Sequence, residues 1–129
     1  NPDLKIYSVA CPLLVPLVEE GWTREKVTEE IIKKYLKPLE DKNIEVLVLA
    51  CTHYPLLEKM IRKVLDKNIK IVNPAKSLAL QLENILEKGN GAKGRKHEFY
   101  FTDKPYNLKK ISRMCFPEEI HPIIVKPLV

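Results

Sequence analysis

No apolar run in this sequence approaches the roughly 18–20 residues that a membrane-spanning helix requires, so the chain holds no such span. Nothing at its start has the pattern of a signal peptide, although it opens on Asn1 rather than Met and the true start can lie upstream. It has three cysteines, Cys11, Cys51 and Cys115. Odd in number and widely spaced, they read neither as a disulfide framework nor as a zinc cluster, and they fit a reducing, cytoplasmic setting. No metal, flavin or pyridoxal motif is apparent. Glycine is scarce, with 4 in the whole chain. Gly89, Gly91 and Gly94 fall together among Lys93, Arg95 and Lys96, which marks a flexible solvated loop and the one clear linker. The net charge of +5 comes from 22 basic and 17 acidic residues. Lysines alternate with glutamates, as in Glu29-Glu30 and Lys33-Lys34, so this balance serves solubility and implies neither a nucleic-acid nor a membrane partner.

What is present suffices for one ordinary globular core: 129 residues, 45% of them hydrophobic. The most informative stretch runs from Val46 to Leu57. Val46-Leu47-Val48-Leu49-Ala50 reads as a strand buried on both faces. Pro55 suits the first turn of a helix, where no N–H donor is needed. Leu56, Leu57, Met60, Ile61, Val64 and Leu65 follow at helical spacing, with Glu58, Lys59, Arg62 and Lys63 opposite. Strand, turn and amphipathic helix thus enclose Cys51, Thr52 and His53. Ligands of α/β sheets bind outside the carboxyl ends of strands, and a helix start favours a thiolate or a bound carboxylate. A buried, inert cysteine capping a core strand fits the same spacing equally well.

The remaining chain alternates similarly. Leu4–Ala10 is predicted as a strand, followed by a short helical turn that Pro16 limits and Gly21 stops. Thr23 is the predicted N-cap of a helix from Arg24 to Leu36, with Val27, Ile31, Ile32, Tyr35 and Leu36 on one face and Pro38 ending it. After the central helix, Ile69–Val72 is a strand. Asn73 caps a helix that starts at Pro74, runs to about Glu87, and buries Leu78, Leu82, Ile85 and Leu86. Glu98–Thr102 is predicted as a strand, Asn107–Met114 as a helix, and Ile120–Val125 as a strand with Pro122 marking an edge. Strands alternating with helices predict an α/β fold with a mainly parallel sheet flanked by helices.

Ala50-Cys51-Thr52-His53-Tyr54-Pro55-Leu56-Leu57 resembles the second cysteine motif of glutamate racemase, in the aspartate/glutamate racemase superfamily. Ala10-Cys11-Pro12-Leu13-Leu14-Val15-Pro16-Leu17-Val18-Glu19-Glu20-Gly21 resembles another block of that family, upstream at about its interval. The likeness covers nearly the whole chain and weakens after Gly89. It implies a fold of two similar α/β domains with the active site in the cleft between them. Residues 1–76 would be the latter part of the second domain, and residues 77–129 the returning C-terminal segment of the first. The N-terminal half, with the first catalytic cysteine, would be absent.

The resemblance also implies the chemistry: cofactor-independent interconversion of L- and D-glutamate by a pair of cysteines, supplying D-glutamate for bacterial peptidoglycan. Cys51 would be one of that pair, His53 its acid/base auxiliary or orienter, and Glu19 a carboxylate that bonds the substrate ammonium or positions His53. Thr52 would donate to the substrate carboxylate. Cys11, Cys115, His97 and His121 match no catalytic block and are assigned structural roles, and Asn73 only its cap. The partner is then a small molecule, glutamate, and homo-oligomerisation stays open.

Three rivals bear on that reading. A cysteine phosphatase needs an arginine six residues after its cysteine; position 57 is Leu and the nearest arginine is Arg62, so that class fails. Aspartate or hydantoin racemases of the same superfamily keep the cysteine but usually lack His-Tyr-Pro after Cys-Thr. A noncatalytic interaction module is the reading for a fragment holding half a site.

Overall fold

Pro16 sits inside the first helix without breaking it. The structure, a computed structural model, describes residues 3–86, 97–103, 106–116 and 119–126. In it, α1 spans Leu14–Glu19, and Pro16 falls in the first turn, where backbone N–H groups have no intrahelical partner. The helix ends in two crossed bonds, Gly21 N–H to Val18 O at 2.8 Å and Trp22 N–H to Leu17 O at 2.8 Å. That closure needs a left-handed residue, and Gly21 takes φ +70°. A side chain there would also strike the Lys110 side chain at 2.6 Å.

α2 spans Lys26–Leu36, two residues later than expected, and its N-cap is Glu25 rather than Thr23. No side chain caps it; instead buried Thr28 donates its hydroxyl to the Trp22 carbonyl at 2.5 Å and ties the helix start to the end of α1. Val27, expected on the buried face, is 43% exposed, and Thr28 takes the inward position. Pro38 does not end the helix outright. The chain tightens into a 3-10 helix over Lys37–Lys42 and turns at Asn43, whose φ of 48° is left-handed.

β1 (Val46–Val48) pairs in parallel with β2 (Lys70–Val72), matching Val46 to Lys70, Leu47 to Ile71 and Val48 to Val72. Between them, a 3-10 helix at Tyr54–Leu57 admits Pro55 in its first turn and leads into α3, Glu58–Val64. Leu49, Leu57 and Ile61 meet Leu14 and Val18 of α1 and Ile32 of α2 in the core. Burying one leucine fully, as at Leu57, stabilises by roughly 1.5–3 kcal/mol. Glu29 joins α2 to α3, accepting from Lys33 at 2.6 Å and Lys63 at 2.5 Å.

Two expectations about this region change. The central strand is covered on one face only: Leu49 is buried, whereas Val46 and Val48 are 45% and 52% exposed. Leu4–Ala10 forms no strand. Its residues have the pattern for one, but a ladder needs a partner backbone, and no backbone hydrogen bond joins residues 4–10 to β1.

α4 spans Pro74–Leu86. Asn73 caps it, its side-chain oxygen accepting from Ala75 N–H at 3.1 Å, while its amide donates to Glu58 at 2.6 Å. The predicted apolar face is there, but none of the described residues covers it: no residue of α4 is buried, and Ile85 is 70% exposed. The Gly89–Gly94 linker lies outside the described residues. A second strand–helix–strand unit comes next, with β3 (Phe99–Phe101), α5 (Leu108–Cys115) and β4 (Pro122–Ile124). β3 and β4 pair in parallel, and Pro122 opens β4 as its first residue. Among the described residues the chain therefore holds two parallel two-stranded sheets, not a single continuous one. α5 packs on α1, where Asn107 donates to Glu20 at 3.0 Å.

Candidate active site

Cys51 follows β1 just beyond its carboxyl end, half-buried, where the strand gives way to the turn that starts α3. The turn closes on the cysteine itself: Tyr54 N–H donates to Cys51 O at 3.3 Å, and Leu56 N–H to His53 O at 3.0 Å. This fold-back swings the imidazole of His53 beside the thiol, with Nδ1 4.0 Å from Cys51 Sγ and 3.4 Å from Thr52 Oγ1. The other ring nitrogen, Nε2, stands 3.5 Å from a carboxylate oxygen of Glu19, at the last residue of α1. The structure thus brings Cys51, Thr52, His53 and Glu19 into one chain of contacts. A ring whose Nε2 proton points at Glu19 leaves Nδ1 as acceptor for the thiol or the hydroxyl. The separations are long for hydrogen bonds.

The helix start differs from expectation. A four-residue 3-10 helix comes after the cysteine, and α3 begins only at Glu58. The helix-dipole support expected for a thiolate is correspondingly smaller, since that effect belongs to the first turn of a longer helix.

Two residues that the motif reading left without a role hold the site together. Tyr54 donates its hydroxyl to the backbone carbonyl of Cys11 at 3.3 Å. Tyr35, from α2, accepts the N–H of Leu13 at 3.2 Å. Between them they fasten the loop from which α1 springs, and so place Glu19. Burial pushes the Tyr54 hydroxyl above its ordinary pKa, with Cys11 and Cys51 nearby adding to the shift. Burial also raises the Cys11 thiol, which Tyr54 partly offsets, and Cys11 Sγ donates to Val9 O at 3.5 Å. Cys115 is exposed on α5, and His97 lies with its ring centroid 6.4 Å from that of Phe99. The signal for Tyr54 was in plain view, a hydroxyl-bearing aromatic directly after Cys-Thr-His, but its partner is 43 residues away. Among the described residues no three His, Cys, Asp or Glu side chains group as a metal ion would require.

The chain is 36% identical to the glutamate racemase of Aquifex aeolicus over 93% of its own length and 45% of that protein's. It is 41% identical to that of a Sulfurihydrogenibium species, over 88% of this chain and 43% of the other. The solved glutamate racemase of Francisella tularensis, in complex with D-glutamate, superimposes with a TM-score of 0.84 at 34% identity, over 98% of this chain and 49% of that one. The chain matches one half of glutamate racemases. It spans about half the length of the curated relatives it matches. The glutamate racemase of Thermus thermophilus, solved with β-chloro-D-alanine, agrees with a TM-score of 0.77 at 31% identity, over 96% of this chain and 48% of that one. No family model matches the chain. The α/β class expected from its alternating strands and helices is that of glutamate racemases.

Proposed function

We propose that this chain carries one half of the active site of a cofactor-independent glutamate racemase, with Cys51 as one of two proton-transferring cysteines. The observation that supports it most directly is the run from Cys51 through His53 to Glu19 at the carboxyl end of β1, on a fold shared with a racemase solved with D-glutamate. In this reading the Cys51 thiolate takes the α-proton of L-glutamate, leaving a carbanion, and a second thiol returns a proton to the opposite face to give D-glutamate. A serine hydroxyl could not replace that base, because its pKa is far too high. Thr52 donates to the substrate carboxylate. His53 orients the thiol or shares its proton, and Glu19 steadies the ring or meets the substrate ammonium.

The second cysteine belongs, on this proposal, to the part of the relatives that the chain does not span. Residues 1–76 are then the latter part of one α/β domain and residues 77–129 the returning segment of the other. The product would serve bacterial peptidoglycan in the cytoplasm. The test uses the full-length enzyme in deuterated water without added pyridoxal phosphate or metal. Deuterium should enter the α-position of glutamate as the enantiomers interconvert. Activity abolished by a chelator or a carbonyl reagent would overturn the proposal, and faster turnover of aspartate would move it to the neighbouring family.

A further inference from the structure

We propose that Tyr54 is a positioning residue for the Cys51 site: its hydroxyl holds the start of α1, and through that helix it sets where Glu19 meets His53. The proposal rests on the reading of Glu19 and His53 as members of a proton-transferring site.

The turn that carries Cys51 touches α1 at both of its ends. At the carboxyl end of the helix, Glu19 Oε1 stands 3.5 Å from His53 Nε2. At the amino end, the Tyr54 hydroxyl donates to Cys11 O at 3.3 Å, and the same carbonyl accepts from Leu14 N–H at 3.1 Å. Leu14 is the first residue of α1. One carbonyl oxygen, through its two lone pairs, thus joins the helix start to the residue directly after His53. The six residues of α1 rise only about 9 Å, so the two ends move together.

These bonds define what the apolar contacts of α1 leave open. Leu14 and Val18 are buried in one cluster with Leu57 and Ile61. Burial of that kind is non-directional: it keeps the helix on the core without fixing how far it slides or turns. A carboxylate that must meet one ring nitrogen needs that position fixed, since a misplacement of about 1 Å can lower a rate about 10²-fold. Tyr35 of α2 adds a further tie at the same end, accepting from Leu13 N–H at 3.2 Å. Burial, followed by the charges of Cys11 and Cys51, raises the pKa of the Tyr54 hydroxyl, so the group keeps its proton and remains a donor. Its nearness to Cys51 also supplies the competing account, a direct effect on the thiol.

A double-mutant cycle in the full-length enzyme separates the two. Tyr54→Phe keeps the ring and removes the bond to Cys11 O. It should lower kcat about tenfold and leave KM within about twofold, with an unchanged circular dichroism spectrum. In a Glu19→Gln background the same substitution should lower the rate no further, because the carboxylate that it positions is already gone. Tyr35→Phe, which frees Leu13 N–H, should give a smaller loss with the same coupling, and it decides the matter if Tyr54→Phe does not fold. A loss that persists in the Glu19→Gln background would place Tyr54 at the thiol and overturn the proposal, as would a loss carried mainly by KM. Wild-type kcat in Tyr54→Phe beside a slow Glu19→Gln would overturn the positioning and leave the proposed function standing. Wild-type kcat in Glu19→Gln would overturn it together with the role of Glu19, and Cys51→Ser then judges the proton transfer by itself.

Discussion

His53 Nε2 lies 3.5 Å from Glu19 Oε1, so the last residue of α1 meets the residue two places after Cys51. Both side chains are partly exposed, 30% and 48%, and an exposed pair of this kind adds at most about 1 kcal/mol to stability. Its value would lie in aiming the ring. Glu19→Gln in the full-length enzyme should therefore leave the melting temperature nearly unchanged while lowering kcat by about 10²-fold, the low end for loss of acid–base assistance. It should also alter the pH dependence of kcat/KM. A variant with unaltered rate and pH profile would return Glu19 to the surface.

Cysteine replacement separates the three thiols. Cys51→Ser in the full-length enzyme should reduce racemisation by at least about 10²-fold with an unchanged circular dichroism spectrum. Cys11→Ser and Cys115→Ser should keep most of the activity. Equal losses at Cys11 and Cys51 would remove the assignment of Cys51 as the proton-transferring thiol.

Acid should expose the link between α2 and α3. Glu29 accepts from Lys33 and Lys63, and these bonds lower its pKa from 4.5 to about 2. A carboxyl whose folded pKa is depressed contributes stability above its ordinary value and loses it as pH falls through the folded one. The contribution of Glu29 is thus complete above pH 4.5 and fades towards about 2. Thermal melts of the chain and of Glu29→Gln should converge as pH is lowered across that window. Parallel curves would show that the bonds contribute nothing.

Asn73 caps α4 and is bonded at once to Ala75 N–H and to Glu58. Asn73→Ala should cost about 1 kcal/mol for the cap, somewhat more for leaving Glu58 with Lys76 as its partner. Denaturant titration measures it. Asn73→Asp should keep the cap, so an equal loss in both variants would place the stability in the amide's bond to Glu58.

The elements that were legible are those whose signals are local. The apolar run of β1, Pro55, and the helical spacing from Leu56 to Leu65 specify strand, turn and helix with little outside help, and Asn73-Pro74 specifies a cap in the same way. The illegible features depend on a partner distant in sequence. Leu4–Ala10 has a strand's composition and, among the described residues, no strand paired with it. Thr23 has a capping side chain, yet the helix start is tied down by Thr28 reaching the Trp22 carbonyl. The site divides likewise: Cys51, Thr52 and His53 are contiguous, while Glu19 was assigned through a family block, and the Tyr54–Cys11 bond joins a residue beside the motif to one 43 positions away. Burial on both faces of β1 failed for the same reason, since an apolar strand announces its need for cover but not whether cover is there.

That need is greatest on α4, which leads to the prediction for the chain by itself. Leu78, Leu82, Ile85 and Leu86 share one face of the helix and are 57%, 46%, 70% and 66% exposed. A contiguous apolar face on a helix of 13 residues marks an association surface. The isolated 129-residue chain should therefore self-associate through α4 at micromolar concentration, and on the two-cysteine reading it should not racemise glutamate. Leu82→Glu combined with Ile85→Glu puts charge at the centre of that face without touching the core, since neither side chain is buried. Sedimentation should show the doubly substituted chain shifting towards monomer with its helical signal intact. A wild-type chain that is monomeric and active would contradict both the exposed face as an interface and the half-site mechanism. One that still self-associates after both substitutions would move the contact elsewhere, to the β1 edge or to the exposed β4 residues Ile123 and Ile124.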